Sequence, residues 1–296
     1  MKRIVATGFL LLNICLMAAC NNSSDKPAAE QATSNNKITD QTRIVSLSGS
    51  VTEILCGLGL EKNIVGVDVT STYPASVQQK PKVGHNRNMS AEAIIALKPD
   101  MIVGVRSKLN PELIAQLEGA KLKVVLFDHD YSVDGAKKLI GAVADSLGMT
   151  AQSAVLSSKV DEDMKTAVKP AKTPSVLFIY ARGAGTMMVS GENTEVDKII
   201  TLAGGRNAMK GFTEFKPLTP EALVAANPDV ILMFDSGLSS LGGMDGLLQV
   251  QGVAQTNAGK HHKVIEMDGQ YLTGFGPRTG QAIAELSKKL ADVVVP

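Results

Sequence analysis

One stretch of sequence occurs twice in this chain, and the repetition constrains the fold more than any other feature. Residues 89–104, MSAEAIIALKPDMIVG, match residues 218–233, LTPEALVAANPDVILM, in residue class at nearly every position. The match aligns Glu92 with Glu221, 129 residues further along the chain. Each copy has the pattern of a short helix, a Pro-Asp corner and a buried strand. Such corners also recur by chance in α/β proteins, but agreement over the whole segment favours two similarly built halves.

Short apolar strands alternate with helical patterns around the first copy. Strands are predicted at 44–47, 101–105 and 123–127, and a helix with a regular apolar stripe at 134–147. This alternation is typical of a parallel α/β sheet. A further helical pattern begins at Thr150, where we expect the N-cap, with a stripe of Ala151, Ala154, Val155, Val160, Met164 and Val168.

The segment KPAKTP interrupts the chain after this helix, and strand–helix alternation then restarts at Ser175. We therefore predict an α/β fold with two Rossmann-like lobes, each with a central, mostly parallel sheet, joined by a single long α-helix. The expected boundaries are 42–148 for the N-terminal lobe, 149–170 for the linker helix and 171–296 for the C-terminal lobe.

The N-terminus has the composition of an export signal. Residues 1–20 carry two basic residues, an apolar run and then Ala18, Ala19 and Cys20, and the run is too short for a stable membrane span. The Ala-Ala-Cys ending resembles a bacterial lipobox, so either Cys20 is lipidated or the chain is cleaved after Ala19. Residues 21–41 are polar, and we expect a disordered tether. The predicted location is the periplasm or cell envelope, secreted and lipid-anchored.

Composition and motifs exclude several classes of function. The chain has 30 basic and 29 acidic residues without basic blocks, which gives no indication of a nucleic-acid partner. Cys56 is the only cysteine beyond the signal, so no internal disulfide is expected. Neither a nucleophile elbow, a zinc-protease motif nor a Walker loop is present. No motif specifically supports an enzyme, and we predict that the chain is not one.

A tyrosine stands where a ligand-binding loop is expected. Val65 and Val67 form a short strand pattern, and Pro74 ends it, so Tyr73 is expected in a loop at the end of a strand. Such loops are the usual ligand sites of open α/β sheets. Ser90 then caps a helix that carries Glu92 in its first turn.

Six segments carry a family resemblance: RIVSLSGSVTEI, VGVDVTSTYP, VGHNRNMSAEAIIALKPD, YARGAG, LTPEALVAANPD and DGQYLTGFGPRT. From about residue 42 onward the chain resembles periplasmic haem-binding proteins of ABC haem importers. That helix-linked, two-lobed class also includes cobalamin and siderophore binders. The resemblance implies a monomer without a catalytic cofactor that carries haem b. Its partners would be an inner-membrane ABC permease dimer and an outer-membrane haem receptor system upstream.

The resemblance assigns roles to individual residues. Tyr73 matches the haem-iron ligand, and a phenolate suits ferric iron because both are hard. Arg278 matches the cation that helps a phenol with a pKa near 10 to ionise at neutral pH. The other expected pocket residues are His85, Arg87, Arg182, Met187, Met188 and Tyr271. For His85 and Arg87 an exposed loop position is an equally good interpretation.

Glu92 and Glu221 match the carboxylates that dock the permease, one in each lobe. The alternative is that both are ordinary first-turn glutamates. For the ligand, the same fold also binds ferric siderophores or cobalamin, although the absence of Trp and the presence of only four Tyr argue against such ligands. A second rival is an envelope enzyme that acts on tetrapyrroles or metals.

Overall fold

A computed structural model describes residues 38–85 and 88–294. The predicted signal segment, Cys20, most of the predicted tether and Arg87 lie outside these ranges. The last residues of the predicted tether belong to the folded body, because Ile38 packs against the first core. Asn63 reinforces this contact, since its amide donates to the carbonyl oxygens of Thr39 and Thr42, both at 2.8 Å.

The first lobe alternates strands and helices, as its apolar pattern predicts. Its elements are β1 (Ile44–Ser46), α1 (Gly49–Gly57), β2 (Ile64–Val67), α2 (Ala91–Ala96), β3 (Met101–Val105), α3 (Pro111–Gly119), β4 (Val124–Phe127) and α4 (Val133–Ser146). The strands form a sheet in the order β2-β1-β3-β4, and every pairing is parallel. Helices cover both faces, so β1, β2 and β3 are buried almost completely, whereas the edge strand β4 is buried only at Phe127.

The second lobe repeats this plan with an antiparallel extension. The linker helix α5 (Thr150–Met164) precedes it in the chain. Its strands are β5 (Ser175–Ala181), β6 (Met187–Ser190), β7 (Arg206–Asn207), β8 (Phe215–Pro217), β9 (Val230–Phe234) and β10 (Val264–Met267). Its helices are α6 (Glu195–Leu202), α7 (Pro220–Ala226), α8 (Asp235–Ser240), α9 (Gly243–Leu248), α10 (Asn257–Lys260), α11 (Gly269–Thr273) and α12 (Thr279–Val294). The sheet order is β10-β9-β5-β6-β8, and β7 pairs with β5. Only the β5–β6 and β6–β8 pairings are antiparallel, so the prediction of mostly parallel sheets is confirmed.

The linker helix differs from its prediction in length and in packing. It ends at Met164, because the next three amides close tighter turns and the amide of Val168 donates to Ser287 Oγ of α12 at 3.0 Å. Thr150 lies inside the helix, and Met149 precedes it as the N-cap. The predicted apolar stripe is wrong: within this helix only Val160 is buried, and Val155 is 73% exposed. The helix rests on α4 of one lobe and α12 of the other, so no single continuous face is covered.

The two copies of the repeated sequence form equivalent corners. Asp100 Oδ2 accepts a hydrogen bond from the amide of Arg43 at 2.8 Å, at the start of β1. Asp229 Oδ2 accepts from the amide of Ser175, also at 2.8 Å, at the start of β5. In each lobe the carboxylate thus ties the corner before one strand to the beginning of its neighbour. The two copies therefore share a local structure as well as a sequence pattern.

Within the described ranges, every helix is too short or too polar to cross a membrane.

The close crossing of α12 over the linker helix generates a stability prediction. A Cβ added at Gly280 would overlap the carbonyl oxygen of Val160 and approach Asp163 Cβ to 3.0 Å. We therefore expect Gly280→Ala to lower the free energy of unfolding by about 1–3 kcal/mol, as other overpacked sites do. Chemical denaturation at neutral pH measures the change.

Gly141→Ala in α4 is the matched control, because a Cβ added at Gly141 meets nothing within 4 Å. Alanine should stabilise that helix by about 0.5–1 kcal/mol. Equal stability changes in the two variants would contradict the close α5–α12 crossing.

Candidate functional site

The loop that carries Tyr73 leaves the carboxyl end of β2 and is anchored in its own lobe. Asp68, which is buried, accepts hydrogen bonds from the hydroxyls of Thr70 and Ser71. Ser71 also meets Thr52 Oγ1 of α1 at 2.8 Å. These bonds fix the first part of the loop, and Tyr73 follows with 43% of its surface exposed. The phenol ring therefore projects from a rigid base.

Arg278 reaches this loop from the second lobe. It directly precedes α12, and its Nη2 donates to Glu53 Oε2 of α1 at 2.9 Å. Its backbone amide also donates to Glu53 Oε1 at 3.1 Å. Burial raises the pKa of the Glu53 carboxyl, and the hydrogen bonds and charge of Arg278 act in the opposite direction. The pair links the two lobes where the carboxyl edges of their sheets meet.

The guanidinium of Arg278 lies against two tyrosines. Its Cζ is 3.6 Å from the ring centroid of Tyr73 and 4.9 Å from that of Tyr271. These are cation–π distances. Nε of Arg278 is buried and has no hydrogen-bond partner among the described residues. The structure thus brings together three of the residues that the sequence singled out, from both lobes.

The two tyrosines differ in their surroundings. Burial raises the pKa of the Tyr271 phenol, and the nearby Glu285 carboxylate raises it further. Tyr271 is therefore held as a neutral phenol at neutral pH. Tyr73 is the more exposed ring of the two and lies on the guanidinium. Of the two, Tyr73 is the better placed to meet a ligand.

Two residues of the site were missed by sequence reasoning. Glu53 holds Arg278, and Gln270, in α11, accepts hydrogen bonds at Oε1 from the amides of Thr72 at 2.6 Å and of Tyr73 at 3.0 Å. Both residues lie within segments that carry the family resemblance. For Glu53 the available signal was a single carboxylate inside an otherwise uncharged helix, GSVTEILCG, in which it is buried.

Arg182, Met187 and Met188 form a separate group at the β5–β6 turn of the second lobe. Arg182 is exposed, with its Cζ 5.8 Å from the ring of Tyr180. Met188 pairs with Tyr180 across the two strands, whereas Met187 packs against the core on the opposite face of the sheet. Only Met188 of the two methionines therefore shares a sheet face with Tyr180.

His85 is half-buried in the loop before α2, and Arg87, predicted beside it, lies outside the described residues. The carbonyl oxygen of His85 accepts a hydrogen bond from the amide of Asn88 at 2.8 Å. This loop precedes the helix that carries Glu92.

The two predicted docking glutamates occupy equivalent exposed positions. Glu92 and Glu221 stand in the first turns of α2 and α7, and both helices begin at a capping hydroxyl. One turn after each glutamate comes an exposed apolar side chain, Ile95 in the first lobe and Val224 in the second, each 40% exposed. The pseudo-symmetry of the chain therefore extends to its surface.

A second set of contacts joins the lobes at the other edge of the first sheet. Lys108 Nζ lies 3.4 Å from Glu195 Oε1, and His129 Nε2 lies 3.0 Å from the carbonyl oxygen of Phe275. Burial lowers the pKa of His129, and the charge of Lys108 contributes to the shift. His129 is thus an interlobe contact.

The described residues hold no group of three or more His, Cys, Asp and Glu side chains arranged for a metal ion. Cys56 packs against the first core, and burial raises the pKa of its thiol to about 12.

Comparison with known proteins agrees with this architecture. The sequence model of the periplasmic binding protein family matches residues 44–271. An uncharacterized ABC transporter substrate-binding lipoprotein of Bacillus subtilis is 28% identical over 311 residues, covering 98% of this chain and 97% of the relative. A cobalamin-binding protein of Halobacterium salinarum is 25% identical over 217 residues, covering 70% of this chain and 58% of that protein.

Solved structures of haem-binding proteins are also similar. The periplasmic heme-binding protein RhuT from Roseiflexus, in apo form, has a TM-score of 0.82 and 40% identity, covering 86% of this chain and 99% of that one. The periplasmic heme-binding protein BhuT in complex with two hemes has a TM-score of 0.79 and 36% identity, with the same coverage. The resemblance inferred from the motifs is confirmed. This chain belongs to the periplasmic binding protein family, and it is a substrate-binding protein rather than an enzyme.

Proposed function

We propose that this protein captures ferric haem between its two lobes, with Tyr73 as the iron ligand, and delivers it to an inner-membrane ABC permease. The observation that carries the proposal is the placement of Arg278, from the second lobe, 3.6 Å from the ring centroid of an exposed loop tyrosine in the first. A guanidinium this close is attracted to the ring face and therefore holds the Tyr73 ring in place. Ferric iron prefers a hard oxygen donor such as a tyrosine phenolate.

The neighbouring groups support haem as the substrate. Tyr271 stays a neutral phenol beside Arg278, so it offers a flat ring rather than a second anionic donor. In the second lobe, Met188 adjoins Tyr180, and the exposed Arg182 stands above that ring. A polarisable side chain next to an aromatic ring suits a porphyrin face, and a guanidinium suits a propionate.

The relatives bind substrates of two classes, haem and cobalamin. Eight similar solved structures are of haem-binding proteins, at 29–40% identity, whereas several similar sequences, at 22–25% identity, belong to cobalamin- or vitamin B12-binding proteins. The Tyr73–Arg278 pair favours haem, because it presents an exposed tyrosine oxygen that can fill an open coordination position on ferric iron. Cobalamin or a ferric siderophore is the alternative.

A haemin titration tests Tyr73. We expect the wild type to shift the Soret band of haemin and to bind it stoichiometrically, since the phenolate ligates the iron. Tyr73→Phe removes only the ligating oxygen, so its dissociation constant should rise at least tenfold, about 1.4 kcal/mol. Absorption titration and competition with apo-myoglobin measure both quantities.

Tyr131→Phe is the matched control, because the Tyr131 ring contacts His129 and Phe275 whereas the Tyr73 ring contacts Arg278, and its affinity should stay close to that of the wild type. Cyanocobalamin and a ferric siderophore added in excess should not displace haemin. Displacement by cobalamin would assign the cleft to that ligand, and an unchanged spectrum in Tyr73→Phe would exclude Tyr73 as the ligand.

We further propose that Glu92 and Glu221 dock the permease, one from each lobe. Both carboxylates are exposed in the first turns of equivalent helices. Ile95 and Val224, each 40% exposed, add an apolar contact beside each charge. Two matched patches suit a permease with two-fold symmetry, since each lobe would meet one subunit.

Charge reversal tests the docking role. The double variant Glu92→Lys, Glu221→Lys should bind haemin as the wild type does, because the contacts of Tyr73 are with Arg278 and Gln270, but it should not stimulate the ATPase of the reconstituted transporter. Glu112→Lys is the matched control, since Glu112 is also an exposed first-turn glutamate, on α3. Full stimulation by the double variant would refute the role.

The lipid anchor is the last part of the proposal. We infer that Cys20 is lipidated and that residues 21–37 tether the folded body to a membrane. Cys20→Ser should move the protein from the membrane fraction to the soluble fraction, because the acylated residue is lost. Cys15→Ser, inside the signal, should leave it membrane-bound. Membrane retention of Cys20→Ser would show that another element anchors the chain.

A further inference from the structure

The side-chain amide of Gln270 lies between the two lobes and touches the tyrosine loop directly. Its Oε1 accepts hydrogen bonds from the amide of Thr72 at 2.6 Å, the hydroxyl of Thr72 at 3.0 Å and the amide of Tyr73 at 3.0 Å. Its Nε2 donates to the carbonyl oxygen of Gly49 at 2.8 Å and lies 3.4 Å from Glu53 Oε2. One side chain of the second lobe therefore contacts two separate segments of the first.

The orientation of this amide is fixed by its partners. Backbone N–H groups can only donate, so the oxygen of Gln270 must face Thr72 and Tyr73. The opposite end faces two acceptors, Gly49 O and Glu53 Oε2. A flipped amide would oppose donor to donor at one end and acceptor to acceptor at the other. The side chain thus has a single favourable arrangement, reached only when the lobes are in contact.

The first lobe anchors the backbone on both sides of Tyr73. Before it, Asp68 and Thr52 hold Ser71, and Gln78 donates to the carbonyl oxygen of Thr72 at 2.9 Å. After it, the carbonyl oxygen of Pro74 accepts from the amide of Val77 at 3.0 Å. The hydrogen bond to the amide of Tyr73 itself comes from the second lobe.

We propose that Gln270 is a positioning residue that makes the aim of Tyr73 depend on contact between the lobes. The inference rests on the proposed role of Tyr73 as a ligand. When the lobes separate, Tyr73 loses the Gln270 hydrogen bond and the Arg278 guanidinium in one step. Release of the substrate then follows from lobe separation alone, without a separate change in the tyrosine loop.

Hydrogen exchange in the unliganded protein tests the positioning role without haem. The amide protons of Thr72 and Tyr73 should be protected in the wild type, and Gln270→Ala should abolish that protection. Gln270→Met, which keeps the length of the side chain without its hydrogen bonds, should behave like Gln270→Ala. Gln116→Ala, at an exposed position on α3, should keep the protection. Retained protection in both Gln270 variants overturns the proposal.

The rate of haem transfer to apo-myoglobin is the second measurement. We expect both Gln270 variants to release haemin about tenfold faster than the wild type. The absorption features that report tyrosine ligation of the iron should also be weaker in both variants. Loss of amide protection with an unchanged release rate and spectrum also overturns the proposal, since the hydrogen bonds would then hold the loop without positioning the ligand. A wild type that binds no haemin instead refutes the proposed function, and the exchange result stands on its own.

Discussion

The buried pair of Glu53 and Arg278 is the interaction on which the rest of the site depends. Glu53 is 8% exposed, and it accepts from both the guanidinium and the backbone amide that leads into α12. A carboxylate at this position also suits the positive end of that helix. Breaking such a pair on one side typically costs about 3–5 kcal/mol, because a buried charge is left uncompensated. Arg278 is thereby held against Tyr73.

The interlobe contacts limit how far the two lobes can move when a substrate binds or leaves. Glu53 and Gln270 join the lobes beside Tyr73, while Lys108–Glu195 and His129–Phe275 join them at another edge. The linker helix packs on helices of both lobes, so large hinge motions are disfavoured. Binding would therefore change the arrangement little, and release would need an outside force on both lobes. Equivalent exposed glutamates on α2 and α7 offer two points for that force.

Local sequence patterns predicted much of the fold, because strands and short helices in an α/β protein follow from residues close in the chain. The Pro-Asp corners at Asp100 and Asp229 are the clearest case, since the repeat alone paired them. The predicted apolar stripe of the linker helix was wrong because α5 packs against α4 of one lobe and α12 of the other. Glu53 and Gln270 escaped notice because their partners lie more than 190 residues away, and a single carboxylate or amide carries no pattern. The local pattern placed Tyr73 in a ligand-binding loop, but its role as a ligand and the choice of Arg278 came only from motifs shared with a family.

The central claim is that a phenolate of this protein coordinates ferric haem, and resonance Raman spectroscopy of the haemin complex tests it most directly. Protein labelled with ring-deuterated tyrosine is compared with unlabelled protein at neutral pH, with excitation into the tyrosinate-to-iron charge-transfer band. The account predicts enhanced phenolate modes that shift to lower frequency on deuteration. Spectra with no phenolate modes, or with modes that deuteration leaves unchanged, would contradict it.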